Sequence, residues 1–208
     1  MLAGFTLVEI MIATSISGLI TIALLGFYMT NYRIGFVNQE RNRINANMRN
    51  LTSNLIQDGR QSNYFVLYQS TNASDRDAAN DRQLDGNAGD FLVFVYTTED
   101  TATTLQSAEI ERIVCYYRIA SGADGLSPVR RFERNFDPPV DATVEEVLPS
   151  ISQLTAADEV VELSRGLADG RLFFNFWGRS VMVNGQIYHG NDAKRVTETY
   201  NFTISPRG

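Results

Sequence analysis

One cysteine and one histidine are all that 208 residues contain of the two most versatile catalytic and metal-binding side chains. A lone Cys115 excludes an intrachain disulfide, and a lone His189 removes most zinc sites and every histidine-dependent triad. Basic residues are also in deficit: 18 Lys and Arg against 24 Asp and Glu leave a formal net charge of −6. That balance argues against nucleic acid as a default partner, because phosphate binding needs clustered Lys and Arg. The sequence shows no paired carboxylates at readable spacing, no Ser/His/Asp set and no phosphate loop. The expectation is a binding or structural protein, neither an enzyme nor dependent on a cofactor or metal.

Charge is missing altogether from residues 10–32, where Ile, Leu, Ala, Met and Phe dominate. As a helix rising about 1.5 Å per residue, this run gives roughly 30 to 35 Å, enough to cross a hydrocarbon core. A secretory signal would have a basic start, a shorter apolar core and small residues before a cut beyond that core. Here the run ends in Tyr28-Met29-Thr30-Asn31-Tyr32-Arg33, and the one small-residue junction, Ala3-Gly4, precedes it. The apolar helix is therefore expected to stay on the mature protein. Past the span, Val37, Arg41, Ile44, Met48, Leu51 and Leu55 are spaced by four, three, four, three and four, and all but Arg41 form one apolar seam. The pattern predicts a single helix over residues 5–62, membrane-embedded over 5–32 and amphipathic over 33–62. Gly18, Gly26 and Gly35 are its soft points, each costing about 1 kcal/mol against Ala.

Glu9 stands at the head of this span. A carboxylate in a membrane helix costs about 2.5 to 3.5 kcal/mol and needs a named partner, yet no Lys, Arg or His occurs in the first thirty-two residues. The cation left to consider is a chain terminus. A cut between Gly4 and Phe5 would place a new amine one helical turn from Glu9, or within reach of Glu9 in a neighbouring copy, turning a membrane liability into an assembly rule.

Gly4-Phe5-Thr6-Leu7-Val8-Glu9 followed directly by the apolar helix closely resembles the processing motif of type IV pilins and pseudopilins. The resemblance implies that a prepilin peptidase cuts after Gly4 and methylates Phe5, and that Glu9 guides docking into a helical filament core. The sequence departs from the family pattern in three places. Met1-Leu2-Ala3 carries no Lys or Arg, so the leader, residues 1–4, is either minimal or begins upstream. Arg33, Arg41 and Arg43 flank the far side of the span, which a positive-inside count would place in the cytoplasm; the motif requires the opposite. No proline loosens the span midway.

Residues 63–208 read as a β-rich head. Strands are expected at 91–96, 110–119, 129–134, 160–163, 171–177, 181–183, 186–188 and 196–204, with Asn184-Gly185 as a hairpin turn between two of them. Asp137-Pro138-Pro139 is expected to break the sheet and residues 143–154 to form a linker or short helix, so two sheets or sub-sheets are expected. The fold class is α+β: a long N-terminal helix packed on a mostly antiparallel, pilin-like head. The order of a helix, then strands at 91–96 and 110–119, Pro128-Val-Arg-Arg-Phe132 and Arg171-Leu-Phe-Phe174, resembles PilW-like minor pilins and J-type minor pseudopilins of type II secretion.

The implied protein is a minor pilin or pseudopilin, single-pass in the cytoplasmic membrane with its head outside, incorporated into a pilus or pseudopilus at initiation or at the tip. Its implied partners are other pilin or pseudopilin subunits, the prepilin peptidase, an inner-membrane assembly platform and membrane lipid. The alternatives are a major pilin, abundant in sheared filaments, or a signal-anchored protein that never polymerises. Smaller features have modest readings. Asp81, Asp85, Asn87 and Asp90 in the polar stretch 70–90 have calcium-type oxygens but no EF-hand spacing, so a solvated loop is expected. Cys115 reads as a small buried hydrophobe, His189 as a loop residue, and Arg130, Arg131 and Arg134 as an exposed strand face, with an acidic neighbour or DNA as the alternative. Asn72-Ala73-Ser74 and Asn201-Phe202-Thr203 fit the glycosylation pattern.

Overall fold

A computed structural model describes residues 6–98, 108–119, 125–167, 169–189 and 196–206. The chain divides into two compact units, Met1–Asn42 and Arg43–Gly208. One helix, α1 (Leu7–Gln61), begins in the first and ends in the second, within two residues of the expected bounds. From Leu7 to Ile34 its apolar side chains are exposed all round: Leu7 is 75 % and Phe27 70 % accessible. It is the one described helix long and apolar enough to cross a membrane.

In the second unit α1 obeys its seam. Ile44, Leu51 and Leu55 are fully buried in one core with Leu92, Phe94, Val114 and Tyr116, and Met48 packs against it half-buried. Gly59 comes so close to the sheet that a Cβ there would sit 2.4 Å from Cγ2 of Ile204. The helix ends at Ser62, whose hydroxyl caps the Gly59 carbonyl at 2.8 Å, and Asn63 N–H then enters the sheet on the Val95 carbonyl at 3.0 Å.

Nine antiparallel strands follow: β1 (Tyr64–Tyr68), β2 (Ala88–Gly89), β3 (Phe91–Thr97), β4 (Ile110–Arg118), β5 (Ser127–Val140), β6 (Asp158–Gly166), β7 (Phe173–Phe176), β8 (Ser180–His189) and β9 (Val196–Ile204). They form one sheet, not the two sheets or sub-sheets expected, in the order β1-β3-β4-β5-β6-β8-β7-β2, with β9 on β8. β6 and β7 take successive stretches of one edge of β8, opposite Gly185–Ile187 and Ser180–Val183, while β9 takes the other edge. β2 pairs with β7 and returns towards β1, where Asp90 N–H reaches the Gln69 carbonyl at 3.0 Å. The path nearly closes on itself and the sheet is barrel-like: the α+β class and the antiparallel sheet are as expected, but the head is not clearly pilin-like. Two short helices, α2 (Val144–Val147) and α3 (Ile151–Ala156), cover a second core of Val93, Val95, Cys115 and Tyr117.

Two turn expectations fail for local reasons. Asn184-Gly185 is no turn; β8 runs straight through it. Glycine is needed there because the Tyr200 ring crosses so closely that a Cβ would lie 2.6 Å from its hydroxyl, and glycine within a strand often marks such an approach. The hairpin before β8 is instead the three-residue loop Trp177-Gly178-Arg179 between the paired Phe176 and Ser180, whose first two residues both have positive φ (56° and 62°). Asp137-Pro138-Pro139 does not break the sheet either, since β5 continues through it to Val140 with a cis bond between Asp137 and Pro138.

Candidate functional site

Gly4 and Phe5, the processing residues, lie outside the described residues. Glu9 lies in the first turn of α1, where its Oε2 accepts from the backbone N–H of Thr6 and from the Thr6 hydroxyl, both at 2.9 Å. The Thr6 hydroxyl in turn accepts from Glu9 N–H at 3.3 Å. This reciprocal pair is a capping box, Thr6 at the N-cap and Glu9 at the third helical position. The signal was present as Thr-x-x-Glu ahead of an apolar run, and reading the carboxylate only as a membrane liability passes over it. Both bonds fall on Oε2; among the described residues Oε1 takes none. A capped carboxylate therefore keeps one oxygen available for a cation.

Four hydroxyls further along the span are satisfied within the helix. Hydroxyls of Thr14, Ser15, Thr21 and Thr30 donate to carbonyls one turn back, at 2.8 to 3.0 Å. That is the arrangement a segment in hydrocarbon requires, where water supplies no partners.

In the second unit the ionisable groups are gathered into internal clusters. Where β6 gives way to β7 along β8, Arg118 and Asp90 are both almost fully buried. Arg118 Nη2 donates to both carboxylate oxygens, at 2.8 and 3.0 Å, and Nε to Oδ1 at 3.1 Å. Its remaining hydrogens serve the carbonyls of Gly125, Ser164 and Gly170, at 2.8, 3.0 and 2.7 Å. Asp90 also accepts from Arg171 Nη1 at 3.1 Å and from Leu172 N–H at 2.9 Å. So Asp90 is no loop oxygen awaiting calcium. Asp81 likewise accepts from the backbone N–H groups of Asp77 and Ala78, at 3.0 and 2.8 Å. Among the described residues no three His, Cys, Asp or Glu side chains are grouped to hold a metal.

A second cluster fastens the end of α1. Asp58 accepts from the Tyr116 hydroxyl at 2.6 Å and Arg131 Nε at 3.0 Å, while the Tyr96 hydroxyl donates to its carbonyl at 2.8 Å. Burial pushes the Tyr96 phenol up to about 12. A third joins Arg82 to Glu145 through two bonds, 2.7 and 2.9 Å, with the Tyr68 hydroxyl on the same carboxylate at 2.7 Å. Burial raises the Glu145 pKa, but the bonds from Arg82 and Tyr68 outweigh it and hold this carboxyl below its ordinary value.

The smaller expectations sort accordingly. Arg130 and Arg131 are no free basic face: Arg130 pairs with Glu159 at 2.6 Å and Arg131 with Asp58. Arg134 lies over the Phe136 ring, 5.0 Å from its centroid. His189 ends β8 and is buried, not in a loop, with Nδ1 3.1 Å from Glu162 and Nε2 3.1 Å from the Asn47 amide. Cys115 is fully buried and burial pushes its thiol up, as an inert core residue requires. Asn72 and Asn201 are both exposed.

Arg82 with Glu145 and Arg131 with Asp58 each pair one cation with one carboxylate, whereas Asp90 is shared between Arg118 and Arg171. Glu9 and the apolar residues that follow it in α1 are exposed. No family model, curated protein or solved structure matches this chain.

Proposed function

We propose that the chain is a minor pilin or pseudopilin, processed by a prepilin peptidase between Gly4 and Phe5 and assembled through α1 into a type IV pilus or secretion pseudopilus. The observation that carries the reading is the motif Gly4-Phe5-Thr6-Leu7-Val8-Glu9 running directly into a 55-residue helix whose first half is apolar on every face. A helix exposed all round needs a lipid or helical environment, and a filament core supplies the second when the subunit leaves the first. Among lipid tails there is little net hydrophobic drive between helices, so packing of Ala13, Ser17 and Gly18 and the pairing of Glu9 with a neighbouring α-ammonium select the register. Glu9 Oε1, which takes no bond from the described residues, supports that pairing. The head is held outside the cytoplasmic membrane, and partners are sibling subunits, the peptidase and an assembly platform.

Mass spectrometry of the mature N-terminus tests the reading. A chain beginning at N-methylated Phe5 is expected; an intact Met1 in the assembled protein refutes it. A second reading, a membrane-anchored protein that never polymerises, is favoured by the capping box, which gives Glu9 a local purpose. It requires that Gly4 is not a cleavage site.

A further inference from the structure

We propose that the outer edge of β1 receives an extended segment of another protein chain, three or four residues long and ending in a lysine or arginine, as an added strand. Among the described strands β1 pairs with β3 alone, along one edge. Half of its other edge is covered from within the chain: Gln83 N–H donates to the Leu67 carbonyl at 2.7 Å, and Tyr68 bridges Arg82 in antiparallel fashion. Backbone groups alternate between the two edges of a strand, so the N–H and C=O of Phe65 face the same way as those of Leu67. Among the described residues nothing bonds to them. The covering stretch stops at Leu84, where the chain turns aside through Asn87 N–H to the Leu84 carbonyl, 3.1 Å, and Gly86 N–H to the Asn175 carbonyl, 3.0 Å.

In line with that stretch lies a cavity of about 620 Å³ over Tyr64, Phe65 and Val66, in the range of sites that hold ligands. Its floor names the occupant. A donor and an acceptor at strand spacing complement another extended backbone, the mode of β-augmentation. Ala79, Ala108 and Ala142 make small walls that leave room for the side chains of such a segment. At about 3.3 Å per residue the uncovered edge takes three to four residues. Arg82 is already held by Glu145, so an anionic ligand would find no free cation. Asp85 at the rim carries no hydrogen bond or ion pair from any described residue, and its carboxylate calls for a basic residue at the end of the segment beside it. The inference does not depend on polymerisation.

The test uses the full chain in detergent micelles and seven-residue Val/Thr-alternating peptides with one lysine at either end, each beside a twin N-methylated at alternate residues. The expected result is binding of one lysine-ended peptide, with at least tenfold slower exchange at the Phe65 amide and at least tenfold weaker binding of its twin. Asp85→Asn weakens binding several-fold and flattens its salt dependence. Ala79→Trp, at an exposed position that only fills the cavity, abolishes binding with an unchanged melting temperature. Equal binding of peptide and twin, protection at β9 rather than β1, or no binding by any peptide up to millimolar concentration overturns the proposal.

Discussion

Replacing Glu9 by glutamine separates the two roles this carboxylate can have. Glutamine completes a capping box as glutamate does, so the bonds from Thr6 survive and only the charge is lost. Leucine loses both. If pairing with an ammonium relieves a membrane penalty of about 2.5 to 3.5 kcal/mol, then glutamine, which suffers no such penalty in the unassembled helix, forfeits that drive to assemble. At 1.4 kcal/mol per tenfold, recruitment falls by about 60- to 300-fold. A lost cap costs about 0.5 to 2 kcal/mol, at most about 30-fold, and should affect Thr6→Val as well. The assay is quantitative immunoblotting of each variant in sheared filaments against the membrane pool. The proposed pairing requires Glu9→Gln to fail nearly as badly as Glu9→Leu, with Thr6→Val mild. Recruitment of Glu9→Gln at the wild-type level would refute the pairing and leave Glu9 a helix cap.

Three further outcomes follow from the head. Arg118→Met leaves three carbonyls without their donor and the buried Asp90 with only Arg171 and Leu172 N–H, and breaking such a buried pair costs about 3 to 5 kcal/mol; urea titration should show it, and a loss below about 1 kcal/mol would contradict the buried geometry. Glu145 has a depressed folded pKa, so its stabilisation is present above the ordinary carboxylate value of 4.5 and lost as pH falls through the lower folded value. Melting curves of wild type and Glu145→Gln should therefore differ at neutral pH and converge in acid below 4.5; a constant gap would rule this out. Gly185→Ala forces a methyl against Tyr200, whose hydroxyl is held by Ser164 at 2.7 Å, and should cost about 1 to 3 kcal/mol by overpacking, measured by thermal denaturation.

What could be read in advance was local and periodic. The seam from Ile44 to Leu55 located the long helix because spacing of three and four needs no knowledge of what packs on it. The strands at 91–96, 110–119 and 196–204 announced themselves as β-branched and aromatic runs. β1 did not, although Tyr64-Phe65-Val66-Leu67-Tyr68 has the same texture, because it follows the helix without an intervening turn. Asn184-Gly185 misled because a dipeptide that favours a turn also suits a strand crossed by a ring, and Tyr200, which decides between them, is fifteen residues from Gly185. The ion clusters were illegible for the same reason: Asp58 meets Arg131, and Asp90 meets Arg118, only once the sheet has brought them together. Thr6-Leu7-Val8-Glu9 was legible throughout, and its capping role is the simplest chemistry in the segment.

The meeting of Arg118 with Asp90 has a mechanical corollary. One guanidinium holds peptide groups at Gly125, Ser164 and Gly170 together with the carboxylate that anchors Leu172, so peeling away any one of these segments opens the same knot. Amides of β4, β6 and the start of β7 should then exchange through a single shared opening instead of fraying one by one. A chain pulled from either end would resist as a unit until that knot slips, and then give way at once.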